Sequence, residues 1–371
     1  MHNNTIEAFF ALVKSGLWGV ETRLGEYEAL DFEELFELAS EQRVVGLVAA
    51  GIEMVEDLMI PQPVLRRFIG RTVQIERRNK KMNIVIAALV AKMRQADINT
   101  ILVKGQGIAQ CYNKPLWRTA GDIDFFLSEE DYNKAKAFLT PYGRMTEPEL
   151  TNKKHFSIEI SGWPIELHGT LHGGLSLRVD SVIDEVQDAV LIGDKVRPWM
   201  NGSTQVLLPA IDEDVIFVFS HILQHFYQGG IGVRQICDWC RLLWASRLEL
   251  DNALLEKRLR KMALMSEWKA FGMFAVEYLG IPADAMPLYV DNAHWRKKAT
   301  RIMCFVLEVG NFGHNRDKGH SGKSPYLIRK VISGWQRVKD VFRHATIFPV
   351  DSFRFMIGMM INGFRDVIRG E

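Results

Sequence analysis

The 371-residue sequence predicts an α+β protein: a small mixed β-sheet with helices packed on it, flanked by N-terminal and C-terminal helical regions. Two observations predict this. Apolar residues recur at helical spacing over residues 1–97 and again from about residue 206. Between these stretches, short apolar runs alternate with a capped helical segment in the order strand, helix, strand, helix, hairpin, which suits a small sheet with helices laid on it. The sequence is therefore divided into 1–97, an N-terminal helical region, 98–205, a sheet-bearing core, and 206–371, a C-terminal helical region.

In the first region Phe32, Leu35, Phe36 and Leu38, then Val44, Leu47 and Val48, follow a helical period. A longer helix is predicted after Pro61 and Pro63 and runs to Met93. In the core, Thr100–Val103 reads as a strand, Gly105–Tyr112 as a helix and Asp122–Leu127 as a second strand. Ser128 is the N-cap of a helix with an acidic first turn that carries Tyr132 and Phe138. His155–Ile160 and Pro164–Gly169, joined at Ser161-Gly162-Trp163, read as a hairpin. Asp212-Glu213-Asp214 opens a helix through Phe226, a Gly229-Gly230 break follows, and a further helix passes through Ile236 and Leu242. Breaks are expected near Pro282, Pro287, His314–Ser324 and Pro349.

Composition bounds the function. Lys+Arg 46 against Asp+Glu 45 leaves a formal charge of +1, so no global field draws the protein onto nucleic acid, and no DNA partner is expected. From Phe312 to Glu371, however, eleven basic residues face five acidic ones. A solvated helical face is the plainer account of that end, and an anionic partner the sharper one. No run is long and apolar enough for a membrane span, and the first residues lack the pattern of a secretory signal. Four cysteines are few. Cys237 and Cys240 have CxxC spacing without a second pair, in a helical pattern, so half-buried thiols in a reducing cytoplasm are expected.

The chemistry is concentrated in Ile101–Gly107 and Trp117–Leu127. Side chains at i and i+2 of a strand share a face, so Asp122 and Asp124 project together, about 7 Å apart along the strand. Two carboxylates aimed at one spot repel unless a cation lies between them, and a divalent metal with oxygen ligands answers that need. Glu166 shares a face with His168 and becomes the third acid if its strand neighbours that of Asp122. Glu159, on the other hairpin strand, is the rival, although a solvated face accounts for it. His221 and His225 have the i, i+4 spacing of a zinc helix but no evident third ligand, and helix packing or contacts near the site are favoured over metal. Arg234 and Asp238 read as a plain i, i+4 ion pair. Arg118 reads as a phosphate contact or as a clamp on Asp122 or Asp124 when metal is absent, and the two are not exclusive. Trp163, Trp199 and Trp239 read as core or hairpin residues.

Lys104-Gly105, Arg118-Thr-Ala-Gly121-Asp122-Ile-Asp124 and Glu166-Leu-His168, spread over roughly residues 98–245, resemble the nucleotidyltransferase superfamily with its polymerase-beta-like palm. The likeness is to the broad bacterial group of nucleotidyltransferase family proteins with these motifs. The superfamily more often carries Gly-Ser or Gly-Gly where Lys104-Gly105 stands. The resemblance implies transfer of a nucleoside monophosphate from an NTP such as ATP, with two Mg²⁺ or Mn²⁺ ions on Asp122, Asp124 and Glu166. It also implies nucleotide or phosphate contacts from Lys104, Gly105, Arg118, Gly121 and His168. The acceptor is open among a small molecule, a glycan, a protein and an RNA. A toxin-like enzyme acting on tRNA or protein, and a non-catalytic nucleotide-binding scaffold, are the alternatives.

Overall fold

The computed structural model describes residues 3–27, 29–147, 154–310 and 340–356. Most of the basic stretch between Phe312 and Glu371, and the expected break at His314–Ser324, lie outside these residues. No described helix is long and apolar enough to cross a membrane.

Three helices, α1 (Asn3–Trp18), α2 (Phe32–Glu41) and α3 (Val45–Ile52), precede a 34-residue α4 (Gln62–Gln95). Helix α2 starts where the Asp31 carboxylate accepts the N–H groups of Glu33 and Glu34, satisfying two donors that a first turn leaves unpaired. Helix α4 has proline in its first turn and buries Thr72, Ile75, Asn79, Met82 and Ile86 along one stripe. That spacing of three and four places them on a single helical face.

The core begins with β1 (Ile101–Val103), a five-residue α5 (Gly105–Ala109) and β2 (Ile123–Phe126). Helix α5 is shorter than the sequence predicts, because Cys111 and Tyr112 bond three residues back, to Ile108 and Ala109, and the chain tightens toward Pro115. Next come α6 (Glu129–Leu139), β3 (Arg144–Met145), β4 (His155–Ile160) and β5 (Trp163–His168). Ser128 caps α6 as predicted, its hydroxyl accepting from the Asp131 N–H. The turn between β4 and β5 is Ser161-Gly162, both at positive φ (52° and 79°), the geometry that matches the twist of paired strands.

Three elements were not anticipated. One is α7 (Leu177–Leu191), and the others are the hairpin strands β6 (Val196–Asn201) and β7 (Thr204–Pro209). Pro198 masks β6, since proline argues against an interior strand, yet β6 is an edge strand, where a missing N–H costs nothing. The seven strands form one mixed sheet in the order β3-β4-β5-β2-β1-β7-β6.

The remaining helices among the described residues are α8 (Ile211–Gln228), α9 (Val233–Ser246), α10 (Asn252–Met262), α11 (Met265–Leu279) and α12 (Ala293–Val309), with residues 340–347 and 349–356 also helical. Glu213 and Asp214, in the first turn of α8, are buried on Arg258 and Arg197. One hydrophobic cluster joins α1 and α3 to α8, α9, α11 and α12, and Phe10 of α1 lies edge-on to Phe274 of α11. A second cluster packs α4 and α6 against the sheet through Met82, Ile86, Ile123, Phe125, Ile165 and Leu167.

Candidate active site

Strand register brings the acids together. Strands β2 and β5 run parallel with Asp124 opposite Glu166, and β1 runs antiparallel to β2 with Val103 opposite Asp124. Asp122, just before β2, and Asp124 and Glu166 on the strands present oxygens that all lie within 4.8 Å of one another. Glu159 lies opposite Pro164, nearer the hairpin turn, and is not in this group. The three acids line a cavity of about 470 Å³ together with Lys104, Gly105, Arg118, Gly121 and His168. All eight residues singled out from the sequence therefore border one space. His155, His221, His225, Arg234 and Asp238 border it too.

The buried carboxylate of Asp124 accepts from two cations or near-cations. Lys104 Nζ is 2.8 Å from its Oδ1, and His168 Nε2 is 2.9 Å from the same atom. Burial lowers the Lys104 pKa, but Asp124, Asp122 and Glu166 outweigh it and leave the ammonium above its ordinary value. Burial likewise opposes charge on His168, and the hydrogen bonds to Asp124 and Glu166 carry it upward on balance. Asp122 is raised, first by the Asp124 charge and then by loss of water, with Lys104 pulling the other way. Glu166 is held well below the carboxylate range: burial raises it, but His155, His168 and Lys104 prevail. An ammonium standing among three carboxylates, whose oxygens are a hard donor set, marks a place suited to a divalent cation. In that sense the residues fit the metal ions that the resemblance implies.

Lys104 holds an unusual backbone, φ 57° and ψ −146°, followed by Gly105 at φ 44°. Only glycine adopts such values freely, and a side chain there costs about 1–3 kcal/mol. The same turn lets the Lys104 carbonyl accept from the Gly107 and Ile108 N–H groups, and it puts the ammonium over Asp124. A methyl group added at Gly121 would meet nothing within 4 Å, so the cavity stays open above that residue.

Arg118 does not clamp the aspartates. It is bidentate on Asp238 of α9, through Nε to Oδ1 at 2.8 Å and Nη2 to Oδ2 at 2.7 Å. Tyr112 Oη also donates to Asp238 Oδ1 (2.8 Å), and Arg234 Nη1 to Oδ2 (3.3 Å). The Arg234–Asp238 pair is thus one edge of a buried network rather than an isolated helix pair. Burial lowers Arg118, and Asp238 more than restores it. Arg118 is only 5% exposed, yet its Nη1 has no hydrogen-bond partner among the described residues. Two guanidiniums on one carboxylate leave a net positive charge in this part of the cavity wall, and the Asp122 charge also acts on both.

Two further residues, Asn79 and His155, join the site beyond the sequence expectations, and the α8 histidines border it as well. Asn79 of α4, 1% exposed, donates to the carbonyls of Leu116 and Arg118 and accepts from Gln106 Nε2, which fixes the loop leading to Asp122. Its place on the buried stripe of α4 was the available signal. His155 enters because the hairpin register sets it opposite His168. His221 and His225, whose Nε2 atoms are 3.0 Å apart, border the cavity from α8. Burial, then Lys104, depresses both, His225 to about 4. Cys237 and Cys240 are buried free thiols on α9, and burial pushes both upward, away from the reactive thiolate.

A mixed sheet with helices on its flanks and this set of strands is of the nucleotidyltransferase kind. The chain belongs to the family described as "Uncharacterised nucleotidyltransferase", whose model matches residues 28–280. No curated protein and no solved structure matches the chain.

Proposed function

We propose that the protein is a metal-dependent nucleotidyltransferase that moves an NMP group from an NTP to a hydroxyl or phosphate acceptor and releases pyrophosphate. The observation that carries this reading is the β2–β5 register, which gathers Asp122, Asp124 and Glu166 at one end of the sheet. Mg²⁺ or Mn²⁺ ions held there by the three acids would activate the acceptor oxygen and offset charge on the triphosphate. The acceptor hydroxyl gives up its proton with the help of Glu166, and its oxygen forms a bond to the α-phosphorus as the bond to the pyrophosphate oxygen breaks. Asp122 and Asp124 hold the cationic charge at the reacting phosphate, and Glu166 completes the set and orients the acceptor hydroxyl. Lys104 exchanges Asp124 for the phosphates, and the unpaired Nη1 of Arg118 donates to them. Most of the rate then comes from positioning and charge neutralisation.

Incubation with α-labelled NTPs and candidate acceptors tests the reading. Asp122→Asn and Asp124→Asn are expected to abolish label transfer while their circular dichroism stays native. Undiminished transfer by both variants rejects the mechanism. One observation favours a non-catalytic nucleotide-binding role instead: Lys104 Nζ already neutralises Asp124. Calorimetry separates the two, since tight binding of Mg²⁺ and NTP without pyrophosphate release belongs to the scaffold reading.

A further inference from the structure

The hairpin of β4 and β5 carries a second group of donors that the three-acid site does not use. His155 and His168 are directly opposite each other in the antiparallel register, and Glu166 lies two residues before His168 on the same face. A bare cross-strand pair of imidazoles gains no attraction from its own charges, since like groups opposite one another destabilise a sheet. Here both rings turn Nε2 toward a single oxygen. His155 Nε2 is 3.2 Å and His168 Nε2 3.5 Å from Glu166 Oε2. The three donor atoms all lie within 4.8 Å of one another. Ligands on one ion, at bonds of about 2.1 Å and angles between octahedral and tetrahedral, stand about 3.0–3.4 Å apart. The nitrogen-to-oxygen separations already have nearly that span.

The geometry points to a metal site with nitrogen ligands formed by His155, Glu166 and His168, which takes a first-row transition ion such as Mn²⁺, Co²⁺ or Zn²⁺ in preference to Mg²⁺. It adds an ion to the site proposed above and rests on that reading only in sharing Glu166. The preference follows from the donors. Imidazole nitrogen suits transition ions, whereas Mg²⁺ holds to oxygen and keeps much of its water. Glu166 then bridges two unlike environments, one of carboxylate oxygens alone and one with two imidazoles. His168 trades its hydrogen bond to Asp124 for the ion.

The test uses the untagged full-length protein without nucleotide. Equilibrium dialysis with Co²⁺ in a large excess of Mg²⁺ should leave about one equivalent bound, and pulsed electron paramagnetic resonance of the Mn²⁺-loaded protein should show ¹⁴N coupling. His155→Gln should weaken Co²⁺ binding about tenfold or more, whereas His221→Gln should leave it unchanged. Ready displacement of Co²⁺ by Mg²⁺, absence of ¹⁴N coupling, or full affinity in His155→Gln overturns the inference. Nitrogen-coupled binding in a protein that transfers no label sustains this site and counts against the transferase reading alone.

Discussion

At the residue scale, Asp238 decides how the cationic part of the cavity wall is held. It sits 4% exposed beneath two guanidiniums and a tyrosine hydroxyl. Burying charges repays its cost only when each has its partner, and removing one member leaves the rest uncompensated. Asp238→Asn keeps the shape but removes the countercharge to both Arg118 and Arg234. Urea unfolding of that variant should show a loss of about 3–5 kcal/mol. A loss below 1 kcal/mol would mean that water already screens the pair. Lys104 spends its strain differently. Its positive φ is unfavourable for the backbone, but it directs the ammonium at Asp124 rather than along the strand, which accounts for a lysine where glycine is the easier choice.

At the element scale, α4 is the rail along which the site is mounted. Its Asn79 side chain holds two carbonyls of the loop that delivers Arg118 and Asp122. Asn79→Ala should lower stability by about 1–3 kcal/mol through the unsatisfied carbonyls, and should reduce transfer by letting that loop drift. Chemical denaturation and a pyrophosphate-release assay on the same preparation measure both; native stability with reduced release would place the effect in positioning alone. Much of the site was readable in the sequence because strand alternation is a local rule. Asp122-Ile-Asp124 and Glu166-Leu-His168 declare their shared faces within three residues each. What joins them is register between strands more than thirty residues apart, and register is set by long-range packing. Asn79 was hidden inside the polar run Arg77–Lys81, where composition suggests solvent and only the period of Ile75, Met82 and Ile86 argues for burial. Arg118 and Asp238 found each other across α9, a pairing no spacing rule encodes. The β6–β7 hairpin was obscured by Pro198, although Asn201-Gly202 marks its turn.

At the scale of the whole molecule, the described C-terminal helix over 349–356 is pinned to the core at an ionisable contact. Glu267 of α11 is fully buried, accepts from Tyr227 Oη at 3.0 Å and neighbours Asp351. Burial first, and Asp351 next, raise Glu267 to about 8 from an ordinary 4.5. A carboxyl raised on folding contributes its stability in full below its unfolded pKa, and that contribution is lost as pH rises through the folded value. Melting temperature should therefore fall between pH 4.5 and 8 on this account, and Glu267→Gln should flatten the decline. Relative to the unaltered protein, the variant should gain a few degrees at pH 8 and little at pH 5; an equal shift at both would remove Glu267 as the cause.

The shared core of α1 and α11 bears on how the chain is made. Trp18 Nε1 donates to the carbonyl of Leu279, 261 residues onward. Helix α3 emerges soon enough to shelter part of α1, but the face bearing Phe10 and Trp18 must wait for α11. At ribosomal speeds of about 5–20 residues per second that delay is on the order of ten to fifty seconds. For that interval a nascent apolar surface stands open to water.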